Sequence, residues 1–150
     1  MPVPVVWNTG GYERVDALKR LEGHVQVYLP DLKYIHAESA RRYSAAGNYF
    51  EYAAPALKEM LRQTGPVELD DEGLIRRGVI VRHLILPGCT EESMQIIDWI
   101  AENLPGAWIS LMAQYLPFGN VRSVDALERR LTQEEYDQVE IGRASCKERV

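Results

Sequence analysis

The chain opens on a short apolar run, Val3-Pro-Val-Val-Trp7, that stops at Asn8-Thr-Gly-Gly11. Such a run ended by turn residues predicts a buried strand opening into a loop. Val15, Leu18 and Leu21 then recur at helical spacing from Glu13 to Leu21, and Gly23 ends the segment. Val25 to Leu29 reads as a second strand, followed at its C-terminal end by Pro30-Asp-Leu-Lys33. A helical pattern extends from about Ala37 to Gln63, broken at Gly47-Asn48 and stopped at Gly65-Pro66. Pro55 lies in its second half and predicts a kink or a late start, because proline lacks the N–H that a helix interior uses.

Val79 to Leu86 is β-branched and apolar, which predicts a third strand ending at Pro87-Gly88. Thr90 followed by Glu91 and Glu92 predicts a helix start, with threonine as the cap and acids at the positive end of the dipole. Met94, Ile97 and Ile100 mark the inward face of that helix, which runs to about Asn103. Ala107 to Met112 forms a fourth strand leading into Gln114-Tyr115 and the turn-rich Pro117-Phe-Gly-Asn120. Two short helical stretches, Val124 to Leu131 and Thr132 to Val139, close the pattern, the second opened by a Thr132–Glu135 capping box.

Strand and helix thus alternate about four times, which predicts an α/β domain with a parallel sheet and helical crossovers. The working loops of such a sheet lie at the strand C-termini. Asn8-Thr9, Asp31 to Lys33, Pro87-Gly88 and Gln114-Tyr115 all fall there. Four strands cannot close a barrel, so the first strand is expected to leave an exposed edge that promotes aggregation.

Composition narrows the partners. The chain has 150 residues, one domain's length, and 46% hydrophobic with 26% charged residues is ordinary for a globular protein. A net charge of −5 disfavours a nucleic-acid partner, and Arg76-Arg77 reads as a solvated strand end. No apolar run reaches the roughly 20 residues of a membrane span, no secretory signal opens the chain, and the expected compartment is the cytoplasm. The two cysteines, Cys89 and Cys146, match no metal or redox spacing. His24, His36 and His83 with Asp31 could suggest a metal hydrolase, but no two of the histidines have a ligand spacing. Ser110 and Cys89 are nucleophile candidates outside any nucleophile-elbow pattern.

The polar strand ends resemble one family. Val5-Val-Trp-Asn-Thr-Gly-Gly-Tyr12, Val27-Tyr-Leu-Pro-Asp-Leu-Lys-Tyr34, Val81-Arg-His-Leu-Ile-Leu-Pro-Gly88 and Ser110-Leu-Met-Ala-Gln-Tyr115 occur in that order. They look like the later motifs of radical-SAM proteins similar to pyruvate formate-lyase activating enzymes. Leu131-Thr-Gln-Glu-Glu-Tyr136 resembles the start of the closing helix of the same group. The resemblance covers roughly residues 2–139.

It implies the last four strand–helix units of a partial, six-stranded (β/α) TIM-like barrel. In that family a C-x3-C-x2-C loop holds a 4Fe–4S cluster, and cluster and S-adenosylmethionine together yield a 5′-deoxyadenosyl radical, typically for activating a partner protein. This sequence begins at what resembles the third strand and lacks those cysteines, so by itself it is expected to be inactive. The competing expectation is a non-catalytic half-barrel that serves as a binding or scaffold module.

The resemblance also implies roles for individual residues. Lys33 matches the lysine that pairs with the methionyl carboxylate, and Thr9 matches a threonine near that carboxylate. Asp31 matches an aspartate that helps hold a monovalent cation, although Asn8 stands where activating enzymes have the partner aspartate. Arg82 would reach the adenosine side, and Gln114 and Tyr115 the adenine-facing end of the last strand. Residues 140–150 resemble a translated sequencing adapter, which implies a non-native tail.

Overall fold

The computed structural model describes residues 3–113 and 132–139. In chain order the elements are β1 (Val6–Thr9), α1 (Val15–Lys19), β2 (Val27–Pro30), α2 (Ala37–Ser44) and α3 (Tyr49–Thr64). They are followed by β3 (Glu68–Leu69), β4 (Ile75–Leu84), α4 (Thr90–Asn103) and β5 (Trp108–Met112), and residues 133–139 are helical. Strands β1, β2, β4 and β5 lie side by side in that order, all parallel, so the expected α/β alternation is present. Gln114, Tyr115, the stretch Val124 to Leu131 and the tail 140–150 lie outside the described residues.

One core serves helices α1 to α4. Leu18 of α1, Ala40 of α2, Leu57 and Met60 of α3 and Ile96 and Ile100 of α4 pack with Tyr28 of β2 and Val79 and Val81 of β4. Fully burying each of the large aliphatic side chains contributes on the order of 1.5–3 kcal/mol. Phe50 and Trp99 meet edge to face at 5.2 Å and join α3 to α4. A second, smaller cluster of Ile85, Ile97 and Val139 holds the 133–139 helix. That helix opens on the predicted capping box, with Thr132 Oγ1 accepting from Glu135 N and Glu135 Oε2 accepting from Thr132 N. The other oxygen of Glu135 accepts from Gly88 N at 3.0 Å, tying the helix to the Pro87-Gly88 loop.

Along β4 the pleat alternates: Val79, Val81 and His83 are buried, whereas Ile80, Arg82 and Leu84 are only half-buried on the opposite face. Pairing of Ile80 with Trp108 and of Arg82 with Ser110 puts those β5 residues on the same opposite face. None of these four belongs to the core shared with the helices.

Several expectations need correction. The first strand starts three residues and ends two residues later than predicted and is not buried, with Val6 51% and Trp7 38% exposed, because it is an edge strand among the described residues. The strand expected from Val79 to Leu86 runs instead from Ile75 to Leu84; Arg76 and Arg77 lie exposed at its start, as a solvated strand end, where it pairs antiparallel with β3. Charged residues hid this hairpin, which depends on turn chemistry. Asp70 Oδ1 accepts from the N–H groups of Glu72 and Leu74, and Gly73 adopts φ 84°. Helix α3 runs through Pro55 from Tyr49, so no late start occurs. Cys89, not Thr90, takes the N-cap position of α4, with no side-chain cap bond, and Met94 faces outward while Ser93 and Ile96 join the buried stripe.

Candidate functional site

The C-terminal edge of the sheet gathers side chains from three neighbouring strands, β1, β2 and β4, or the residue just past them. Hydrogen bonding continues past the strand ends, with Asp31 N donating to Thr9 O and Leu32 N donating to Arg82 O, each at 2.9 Å. These bonds hold Asp31 beside Arg82, the two residues forming a parallel bridge. Arg82 Nη2 lies 2.8 Å from Asp31 Oδ1, and the same nitrogen donates to Asn8 Oδ1. The Arg82–Asp31 contact has ion-pair distance without hydrogen-bond alignment. Arg82 Nε and Asp31 Oδ1 are both buried and without an aligned partner among the described residues. A guanidinium with a donor held back from water and unmatched is the kind of group that a ligand can satisfy.

Around this cluster two glycines let the first rim loop fold tightly. Thr9 Oγ1 accepts from Gly11 N at 3.1 Å, closing a short turn. Gly11 has φ 82°, and a Cβ there would lie 2.2 Å from Asp31 O, so a side chain is excluded on both counts. Lys33 is exposed, and its Nζ stands 3.9 Å from where a Cβ on Gly10 would be. The ammonium therefore sits over the Gly10-Gly11 turn.

Two residues that sequence reasoning missed hold the rim. Tyr49, the first residue of α3, places its hydroxyl 2.8 Å from Gly10 O, 2.9 Å from Asp31 O and 3.0 Å from Lys33 N. Glu92 of α4 uses Oε1 to accept from the N–H groups of Ile35 and His36 and Oε2 to accept from Ser39 Oγ. It thereby caps the start of α2 from another helix, where His36 at the N-cap makes no side-chain cap bond. Glu92 was legible only as an acid at the start of its own helix. Tyr49 carried no local signal beyond following the Gly47-Asn48 break.

His83 is a core residue. Its Nδ1 lies 2.7 Å from Leu32 O and its Nε2 lies 2.7 Å from Ser93 Oγ, so the neutral ring donates to the carbonyl and accepts from the hydroxyl. Burial pushes its pKa below the ordinary histidine value. Burial also raises the Cys89 thiol, whose Sγ contacts the Tyr43 hydroxyl at 3.7 Å, so it is not primed as a nucleophile. Among the described residues no group of three or more His, Cys, Asp or Glu could hold a metal ion. Among them, too, no helix is long and apolar enough to cross a membrane.

Of the residues expected at a site, the structure brings Asn8, Asp31 and Arg82 into contact and sets Thr9 and Lys33 on the adjoining rim. Gln114 and Tyr115 lie outside the described residues.

The chain is 34% identical over 140 residues to an uncharacterized protein of Methanocaldococcus jannaschii. The match covers 91% of this chain and 36% of that relative, so the chain spans about a third of its length. No protein-family model and no solved structure matches the chain.

Proposed function

We propose that this chain is the later part of a partial (β/α) barrel in a radical-SAM protein similar to pyruvate formate-lyase activating enzymes. Its rim forms one wall of an S-adenosylmethionine pocket. The observation that carries the reading is the convergence of Asn8, Asp31 and Arg82, from three neighbouring parallel strands, into one polar cluster at the sheet's C-terminal edge. The first three of the resembling motifs thus lie side by side in the order in which they occur in the chain, which supports the reading.

In this reading Lys33 offers its ammonium to the methionyl carboxylate, beside the Thr9–Gly11 turn. Arg82, held by Asp31 and Asn8, serves the nucleoside side, and the family resemblance would give Gln114 and Tyr115 the adenine. The pairing of Asp31 with Arg82 engages the carboxylate that the family uses toward a monovalent cation, and Asn8 adds no charge. The intact protein would act on a partner protein of the activated-enzyme type.

A 4Fe–4S cluster does not fit the residues present. It takes three thiolates in one loop, and the sequence has two distant cysteines, of which Cys89 is a half-buried neutral thiol. No chemical step is assigned to this chain. Its role is to bind and orient the cofactor. The test is titration of S-adenosylmethionine by calorimetry. Binding that Lys33→Ala abolishes, with an unchanged melting temperature, is expected. Equal affinity in the two proteins would remove Lys33 from the site.

A further inference from the structure

We propose that Tyr49 is a positioning residue whose hydroxyl sets the spacing between the two rim loops, and so fixes the Lys33 ammonium for a carboxylate ligand. The carboxylate part rests on the reading of Lys33 given above.

A buried phenol needs one hydrogen-bond partner. Tyr49 is 3% exposed, yet its oxygen meets three backbone groups from two different loops. The single hydroxyl proton is shared between the carbonyls of Gly10 and Asp31, while a lone pair accepts from Lys33 N. Gly10 belongs to the loop after β1, and Asp31 and Lys33 to the loop after β2. Packing alone does not demand this arrangement. The ring already has edge or tilted contacts with Tyr34 at 5.6 Å and Tyr12 at 5.9 Å, which a phenylalanine would keep.

The geometry leaves little slack. A Cβ on Gly11 would come within 3.0 Å of the Tyr49 hydroxyl as well as colliding with Asp31 O. The glycine pair, the Asp31 carbonyl and the phenol oxygen thus form one close-packed junction. Lys33 projects from it, with the N–H of its own backbone held by the same oxygen that holds Gly10. Burial pushes the phenol's pKa well up, so the hydroxyl keeps its proton across the physiological range. Deleting the oxygen alone would leave the Gly10 and Asp31 carbonyls and the Lys33 N–H competing for water, and the loops free to part.

The test compares the 150-residue chain with Tyr49→Phe and, as a control, Tyr34→Phe, which removes the Tyr34–Ser44 hydroxyl contact in the same aromatic group. Amide NMR contacts between Gly11 and Lys33 are read without ligand, and S-adenosylhomocysteine binding is then read by calorimetry. Tyr49→Phe is expected to lose the inter-loop contacts and to bind about tenfold more weakly, a change that one lost hydrogen bond can produce. Tyr34→Phe should stay within about twofold of the parent even where its melting point falls. Retained Gly11–Lys33 contacts in Tyr49→Phe, or equal weakening in both variants, would overturn the positioning role. No binding of S-adenosylhomocysteine by the parent chain would instead sink the cofactor reading, and the ligand-free NMR comparison would still decide the role of Tyr49.

Discussion

Arg82 of β4 and Asp31, one residue past the end of β2, hold Nη2 and Oδ1 at 2.8 Å, each side chain about three-quarters buried at 25% and 22% exposure. That places the pair between a solvated surface ion pair, worth little, and a buried one, whose rupture strands a charge. Arg82→Ala is expected to cost about 1–2 kcal/mol in urea unfolding, and Asp31→Asn less, because Asn8 still accepts from the guanidinium. A double-mutant cycle with a coupling below a few tenths of a kcal/mol would show that the contact is incidental.

Acid should weaken the fold through His83. Its ring is neutral in the folded state because burial depresses its pKa, whereas the unfolded chain titrates near 6.5. Between those two values the unfolded state holds the extra proton, so stability rises with pH across that window. The contribution is complete above about 6.5 and is lost as pH falls toward the depressed value. Unfolding free energy measured from pH 7 down to 5 should decline, and His83→Ala should flatten that slope while lowering stability overall. Glu59, held below the usual carboxylate range by its Arg62 hydrogen bond, acts at lower pH and leaves this window clear.

Glu92 gives the third prediction. Its carboxylate accepts from two backbone N–H groups and one hydroxyl ahead of and within α2. Glu92→Ala should cost about 1–3 kcal/mol, the penalty for leaving such groups unmatched. Hydrogen exchange at Ile35 and His36 should accelerate more than at the centre of α3. Glu92→Gln should recover part of the loss, since the amide oxygen can still accept. Unaltered exchange in the alanine variant would mean that water replaces the carboxylate without cost.

What the sequence made legible was whatever short-range pattern determines. Apolar periodicity located the four parallel strands and α4, and the Thr132–Glu135 spacing located a capping box that is present as read. Asn8 and Asp31 could be placed near each other because both stand at strand ends, where a parallel sheet gathers its loops, whereas Arg82 lies within β4 and its place beside them was implied only by the family resemblance. The β3–β4 hairpin escaped because its arms are charged and its turn depends on one aspartate side chain. Tyr49 and Glu92 escaped because their partners are 16 to 57 positions away and are mostly backbone groups, which leave no trace in residue type.

Trp108 opens β5 on the face of the sheet turned away from the helices, 49% exposed and level with Ile80. An indole in that setting is a built-in optical gauge. Anything that comes to lie across this face, whether further strands or a partner surface, must take the ring out of water and move its emission to the blue. Trp99, already packed against Phe50, provides the unmoving reference within the same chain.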